Sequence, residues 1–241
     1  MTSRRLVLAI LLAFGIAACQ GSGALPSASG GTASSLTTTP AASAPEASAG
    51  TSAAATGTPS TGTRVVITNP NLAVTLPETW SEYPIATYRA QIVAILDVAP
   101  PAVKAGYTLH LKDIDSGAVR MAAVGPTGLD PVTGSMILQI DDGDASLEAA
   151  AARIRRITST VDQPTTVEER PVTLPIGDAI RRVETHAVPP GTSIAAIPSR
   201  TVEYIAHLAD GRTLWILASG PEASKTFEAL IDASVATIQT D

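Results

Sequence analysis

The sequence of 241 residues has one cysteine, 3% aromatic residues and no surplus of positive charge: 16 Lys and Arg stand against 22 Asp and Glu, a net charge of −6. Each shortage excludes something. A single cysteine cannot close a disulfide within the chain. So few aromatics leave little for a platform on which bases or sugars would stack. An acidic chain repels phosphate, which excludes nucleic acid as a partner, and repels anionic headgroups, which keeps the folded part off a membrane surface. No apolar run reaches the ~20 residues of a membrane-spanning helix. No CxxC, HExxH or Gly-rich phosphate loop occurs, and no cofactor is implied.

What is present begins with a leader. Arg4 and Arg5 form a positive start, and Leu6 to Ala18 is uninterrupted and apolar. The run is too short to stay in a bilayer and fits a signal peptide over 1–18. It ends in Ile16-Ala17-Ala18-Cys19, which resembles a bacterial lipobox. The resemblance implies cleavage between Ala18 and Cys19 and a diacylglycerol (palmitate-type) anchor on the Cys19 sulfur. The protein would then be held at the cell membrane, facing the extracytoplasmic side. Two or more acyl chains hold stably, at ~0.8 kcal/mol per buried CH₂. Arg4-Arg5 lacks the longer motif of a twin-arginine signal.

Residues 19–63 follow as a lipidated cysteine and a tether rich in Ser, Thr, Ala, Gly and Pro. Such a segment cannot bury enough apolar area to offset its ordering entropy, so disorder is expected. A flexible chain of this length spans about 35 Å on average. A spacer and an O-glycosylated stalk both fit this composition.

Residues 64–241 then form a single domain. Arg64–Thr68 and Leu72–Leu76 read as a hairpin about Asn69-Pro70-Asn71. Ile85, Tyr88, Ile92, Ile95 and Leu96 mark a helix that Pro100-Pro101 interrupts. Tyr107–Lys112 alternates and reads as a strand, as do 118–124 and 135–140. A second helix shows Leu147, Ala151, Ile154, Ile157 and Val161, capped by Asp144 or Ser146. Strands follow at 166–174, 178–187, 200–209 and 212–219, the last two meeting at Asp210-Gly211. A closing helix opens at Gly220-Pro221, with Ala223, Phe227, Leu230, Ile231, Ser234 and Ile238 inward. The class is α+β, a mostly antiparallel sheet packed by helices.

The strand pair running into Leu76-Pro77-Glu78-Thr79-Trp80, together with the closing hairpin and helix, resembles the Mog1/PsbP-like α/β/α sandwich over roughly 64–241. The resemblance implies a binding or assembly factor more than an enzyme, and transfers no functional residue.

Sites of chemistry are few. His110, His186 and His207 fall in strand candidates, without the spacing of metal ligands, and read as half-exposed strand residues. Gly191–Ala195 imitates a nucleophile elbow only in part. Asp141, Asp142 and Asp144 lack EF-hand spacing and read as a turn with a cap. Arg153, Arg155 and Arg156 lie off the apolar helix face, and Arg181-Arg182 reads as a similar solvated pair. Trp80 and Trp215 fit core packing first. With Arg153 and Arg156 they are the candidates for a pocket or a partner surface. The function expected is a membrane-anchored, non-catalytic binding or assembly module. A carrier or sensor of a small apolar ligand and an unrecognised hydrolase are the alternatives.

Overall fold

The structure, a computed structural model, describes residues 61–98, 101–126, 134–161, 166–186, 199–222, 224 and 226–241. The leader, Cys19, the tether to residue 60, the Gly191–Ala195 loop and Ala223 lie outside the described residues.

Strands β1 (Arg64–Ile67) and β2 (Leu72–Thr75) pair antiparallel about the expected turn, where Asn69 takes a φ of 56°. Asn tolerates that left-handed conformation better than most residues. The Leu-Pro-x-x-Trp corner closes as the Trp80 amide donates to the Pro77 carbonyl at 2.9 Å. It leads to the short β3 (Ser81–Glu82). Helix α1 (Ile85–Val98) buries Tyr88, Ile92 and Ile95.

A second helix follows, α2 (Pro101–Asp115), where the sequence suggested a strand. Pro101 starts this helix, at the one helical position where its missing N–H costs nothing. The residues that alternate also repeat at helical spacing. Tyr107, Leu111 and Ile114 pack inward with α1, while Leu109 is left exposed at 39%.

The chain continues through β4 (Val119–Val124), β5 (Ser135–Asp141), α3 (Leu147–Val161), β6 (Thr166–Leu174), β7 (Gly177–His186), β8 (Ser199–His207) and β9 (Thr213–Pro221). It closes with α4 (Phe227–Val235) and β10 (Gln239–Thr240). Seven strands form one sheet in the order β3-β4-β5-β9-β8-β7-β6, every pair antiparallel; β1, β2 and β10 form a second. The closing helix starts at Phe227, later than Gly220-Pro221 suggested. Those two residues extend β9, because Gly220 pairs with Arg200 and Pro221 with Ser199.

Strand alternation sends side chains to two interiors. One face of the large sheet carries Met121, Met136, Leu138, Val202, Tyr204, Leu214 and Ile216, beneath the β1–β2 hairpin and α4 with Phe227, Ile231 and Val235. On the other face, α1 and α2 cover Val119, Ala122 and Ile137. There α3 sets Ala150, Ala151 and Ile154 on Ile205 and Trp215. A bulge at Arg120 lets Val119 and Met121 serve opposite faces. The architecture is therefore an α+β sandwich with a mostly antiparallel sheet.

Gly220 is a packing requirement. A Cβ there would stand 2.5 Å from the Phe227 ring. Gly220→Ala is expected to destabilise the domain by about 1–3 kcal/mol through overpacking. In a Phe227→Leu background the same change should cost measurably less. Urea unfolding of the four chains reads the coupling.

Candidate functional site

The helix-covered face of the large sheet is apolar at its centre and polar toward one corner. Its cross-strand rows follow from the register. Ser135 lies opposite Ser219, Ser219 opposite Thr201, and Thr201 opposite Glu184. In the next row Ile137 faces Leu217, Leu217 faces Glu203, Glu203 faces Arg182, and Arg182 faces Glu169. His186 and Ser199 are opposite at the end of the β7–β8 pair. Ser135, Ser199, Thr201, Ser219, Arg182, Glu184, His186 and Glu203 are all buried, Glu203 completely.

Arg182 organises the corner. Its Nη1 donates to Glu203 Oε2 at 3.3 Å, its Nη2 forms a tight ion pair with Glu184, and its Nε lies 3.9 Å from Glu169 Oε2. Glu169 also accepts from Arg155 Nε on α3 at 2.9 Å. His186 Nε2 sits 3.4 Å from Glu184 Oε2. The Glu203 Oε1 atom is buried without a hydrogen-bond partner. Burial, and then the Glu184 charge, push the Glu203 carboxyl up to about 8, against the opposing pull of Arg182.

Charge on the opposite face has another purpose. Arg181 points the other way, donating to Asp232 Oδ1 at 2.9 Å and to Glu228 Oε2 at 2.8 Å on α4. Tyr204 donates to Asp232 at 2.6 Å, and Arg200 to Glu228 at 2.5 Å. These contacts seat α4 on the sheet. The Arg181-Arg182 pair is thus buried, not solvated: consecutive strand residues face opposite interiors, and each interior supplies carboxylates. His186 is likewise buried, at 4% exposure, where a half-exposed strand residue was expected.

The other sequence candidates are dispersed. Trp80 packs on Phe227, ring centroids 6.5 Å apart, in the layer beneath α4. Trp215 packs with α3 on the opposite face, so the two indoles do not share a pocket. Arg153 reaches back to Asp144 at 2.8 Å and Asp141 at 3.0 Å. Asp144 also accepts from Thr213 at 2.8 Å, and the Arg153 bond holds its carboxyl below the usual range. Ser146 caps α3, accepting from the Ala149 amide at 3.2 Å. Arg156 is exposed on α3. His110 lies in α2, not in a strand, and shares a 2.7 Å hydrogen bond with Tyr88. Burial lowers its pKa to about 4. Among the described residues no group of His, Cys, Asp and Glu is arranged to hold a metal ion.

Arg182→Met should destabilise the domain by about 3–5 kcal/mol, since it leaves Glu184 buried without its cation. Adding Glu184→Gln to that chain should recover a substantial part, as read by urea unfolding. His110 makes a second prediction. Its folded pKa lies below the unfolded value, so its contribution is complete above about 6.5 and is lost as pH falls toward 4, on the order of 3 kcal/mol. The melting temperature should fall across that window, and His110→Gln should flatten the decline.

No protein-family profile matches the sequence, and no curated protein is significantly similar to it. Solved structures do show likeness. A protein of Bacteroides thetaiotaomicron is 11% identical with a TM-score of 0.42, over 75% of this chain; the match spans only 48% of that longer protein. The Ran-binding protein Mog1p of Saccharomyces cerevisiae is 13% identical, with a TM-score of 0.45 over 75% of this chain and 96% of its own. LpqN of Mycobacterium tuberculosis, described as involved in cell envelope biogenesis, is 13% identical, with a TM-score of 0.38 over 73% of this chain and 88% of its own. The chain is similar to these proteins in general sheet-and-helix arrangement.

Proposed function

We propose that the chain is an extracytoplasmic lipoprotein, anchored through lipid on Cys19, whose folded domain serves as a non-catalytic binding or assembly module. The observation that carries the reading is Ile16-Ala17-Ala18-Cys19: the chain's one cysteine stands directly after the apolar leader. The non-catalytic part draws support from how the reactive side chains are used. His110 is engaged by Tyr88, Arg153 by Asp141 and Asp144, and Arg181 by Glu228 and Asp232. Among the described residues the nearest approach to a hydrolytic set is Glu184 beside His186 with Ser199 opposite. Their exposures of 2%, 4% and 6% favour a structural role, because a substrate carbonyl has to reach such a set. Of the arginines considered for an acidic partner, Arg153 is occupied by its own carboxylates.

Two measurements test the reading. Bacterial cells expressing the native chain or Cys19→Ala are labelled with radioactive palmitate and partitioned in cloud-point detergent. The native chain should take label and enter the detergent phase, and Cys19→Ala should do neither; equal behaviour of the two removes the anchor. Cross-linking of intact cells then asks for a partner. A defined protein captured by the native chain, and lost with Cys19→Ala, supports a tethered module. Capture of nothing by either chain counts against it.

A further inference from the structure

The corner where β6, β7 and β8 meet has an imbalance that neither lipidation nor partner binding explains. Glu184 and Glu203 are both buried and share one guanidinium, that of Arg182. With both carboxylates ionised and His186 neutral, Arg182 balances one of the two and the other charge stays uncompensated in the interior, an arrangement that burial disfavours. One proton on Glu203 removes it.

We propose that the Arg182–Glu184–His186–Glu203 cluster is a proton-controlled latch on β6, β7 and β8, closed while the cluster holds one additional proton and loosened as that proton leaves.

The surrounding groups leave the imbalance in place. On β7 the charged and titratable neighbours are Arg182, Glu184 and His186. From β6 comes Glu169, 3.9 Å from Arg182 and bonded to Arg155 of α3. From β9 the residue opposite Glu203 is Leu217, which brings no charge. Arg181 and Arg200 are committed to α4 through Glu228 and Asp232. Beside Arg182, the group here that can turn cationic is His186, 3.4 Å from Glu184 Oε2, and its charge would draw the Glu203 pKa down.

Position makes the corner able to open. β6 is the last strand of the sheet, and its residues from Thr166 to Pro171 are exposed, so loosening there leaves the layers over β4, β5 and β9 intact. The Glu203 carboxyl binds its proton with a pKa of about 8 when enclosed and with an ordinary carboxylate value when open to water. Because the enclosed value is the higher, closure is fully favoured below the ordinary carboxylate pKa. It weakens as pH rises and reaches a plateau above about 8. One linked proton changes the opening equilibrium by at most tenfold per pH unit.

Amide hydrogen exchange on the full chain, corrected for intrinsic rates, tests the latch. Protection in β6, β7 and β8 should fall by up to tenfold per unit between about pH 5 and 8 and then level off, with β4 and β5 unchanged. In Glu203→Gln the fall should be absent. A flat profile in the native chain, or an equal fall in Glu203→Gln, overturns the proposal. Should Glu203→Gln fail to fold, carbon-13 NMR of Glu carboxyls in the native chain decides. One carboxyl titrating well above the ordinary range, with β7 amides following the same midpoint, supports the latch. Every carboxyl titrating in the ordinary range overturns it.

Discussion

The structure depends on a sheet that is buried on both faces. Its centre is β9, whose Leu214, Ile216 and Ala218 belong to one interior while Trp215 and Leu217 belong to the other. A strand in that position has no solvent side, and the same holds for much of β5 and β8. Apolar burial is worth roughly 25 cal/mol per Å², so two covered faces give a small domain far more stabilisation than one. The arrangement demands cover on each side: α4 and the β1–β2 hairpin below, and α1, α2 and α3 above.

Covering both faces forces charge into unusual places. β7 carries two arginines in succession, and a doubly covered strand has nowhere exposed to send either. Each is resolved by carboxylates brought from elsewhere, from α4 on one side and from β6, β7 and β8 on the other. The two solutions differ in balance. Arg181 and Arg200 meet Glu228 and Asp232, cation for anion, whereas Glu184 and Glu203 share the Arg182 guanidinium, with His186 beside Glu184. The balanced side is a fastening for α4, and the unbalanced side responds to protons. His110 responds in the opposite sense on another part of the fold, since burial suppresses its charged form. Acid therefore works against the α1–α2 layer, while base works against the outer strands.

Much of the architecture is legible in the sequence because its strands keep a period of two and its turns carry the expected chemistry. Gly211 occupies the β8–β9 turn with a φ of 86°, as Asp-Gly suggests. α2 escaped because Tyr107, Leu109 and Leu111 satisfy a strand pattern, while Tyr107, Leu111 and Ile114 satisfy a helical one. Only the partner surface on α1 decides between them. Gly220-Pro221 is a helix-opening signal that the fold does not use, because β8 pairs with both residues. The buried corner was hidden for a different reason. Arg182, Glu184 and His186 alternate as the solvent face of a strand does, and nothing local reveals that α3 lies over that side of the sheet. A carboxylate at Glu203 within Val-Glu-Tyr-Ile-Ala was the available hint, a lone charge in the most apolar stretch of β8.

The bulge in β4 has a consequence for comparing this chain with others. Val119 lies opposite Gln139 and Met121 opposite Leu138, so Arg120 is a residue the ladder does not use. A chain one residue shorter at that position would pair as a regular strand, with every flanking side chain on its present face. Related sequences that differ in length at 120 would therefore share the same sheet. An alignment that forced β4 to equal length would place its residues on the wrong sides.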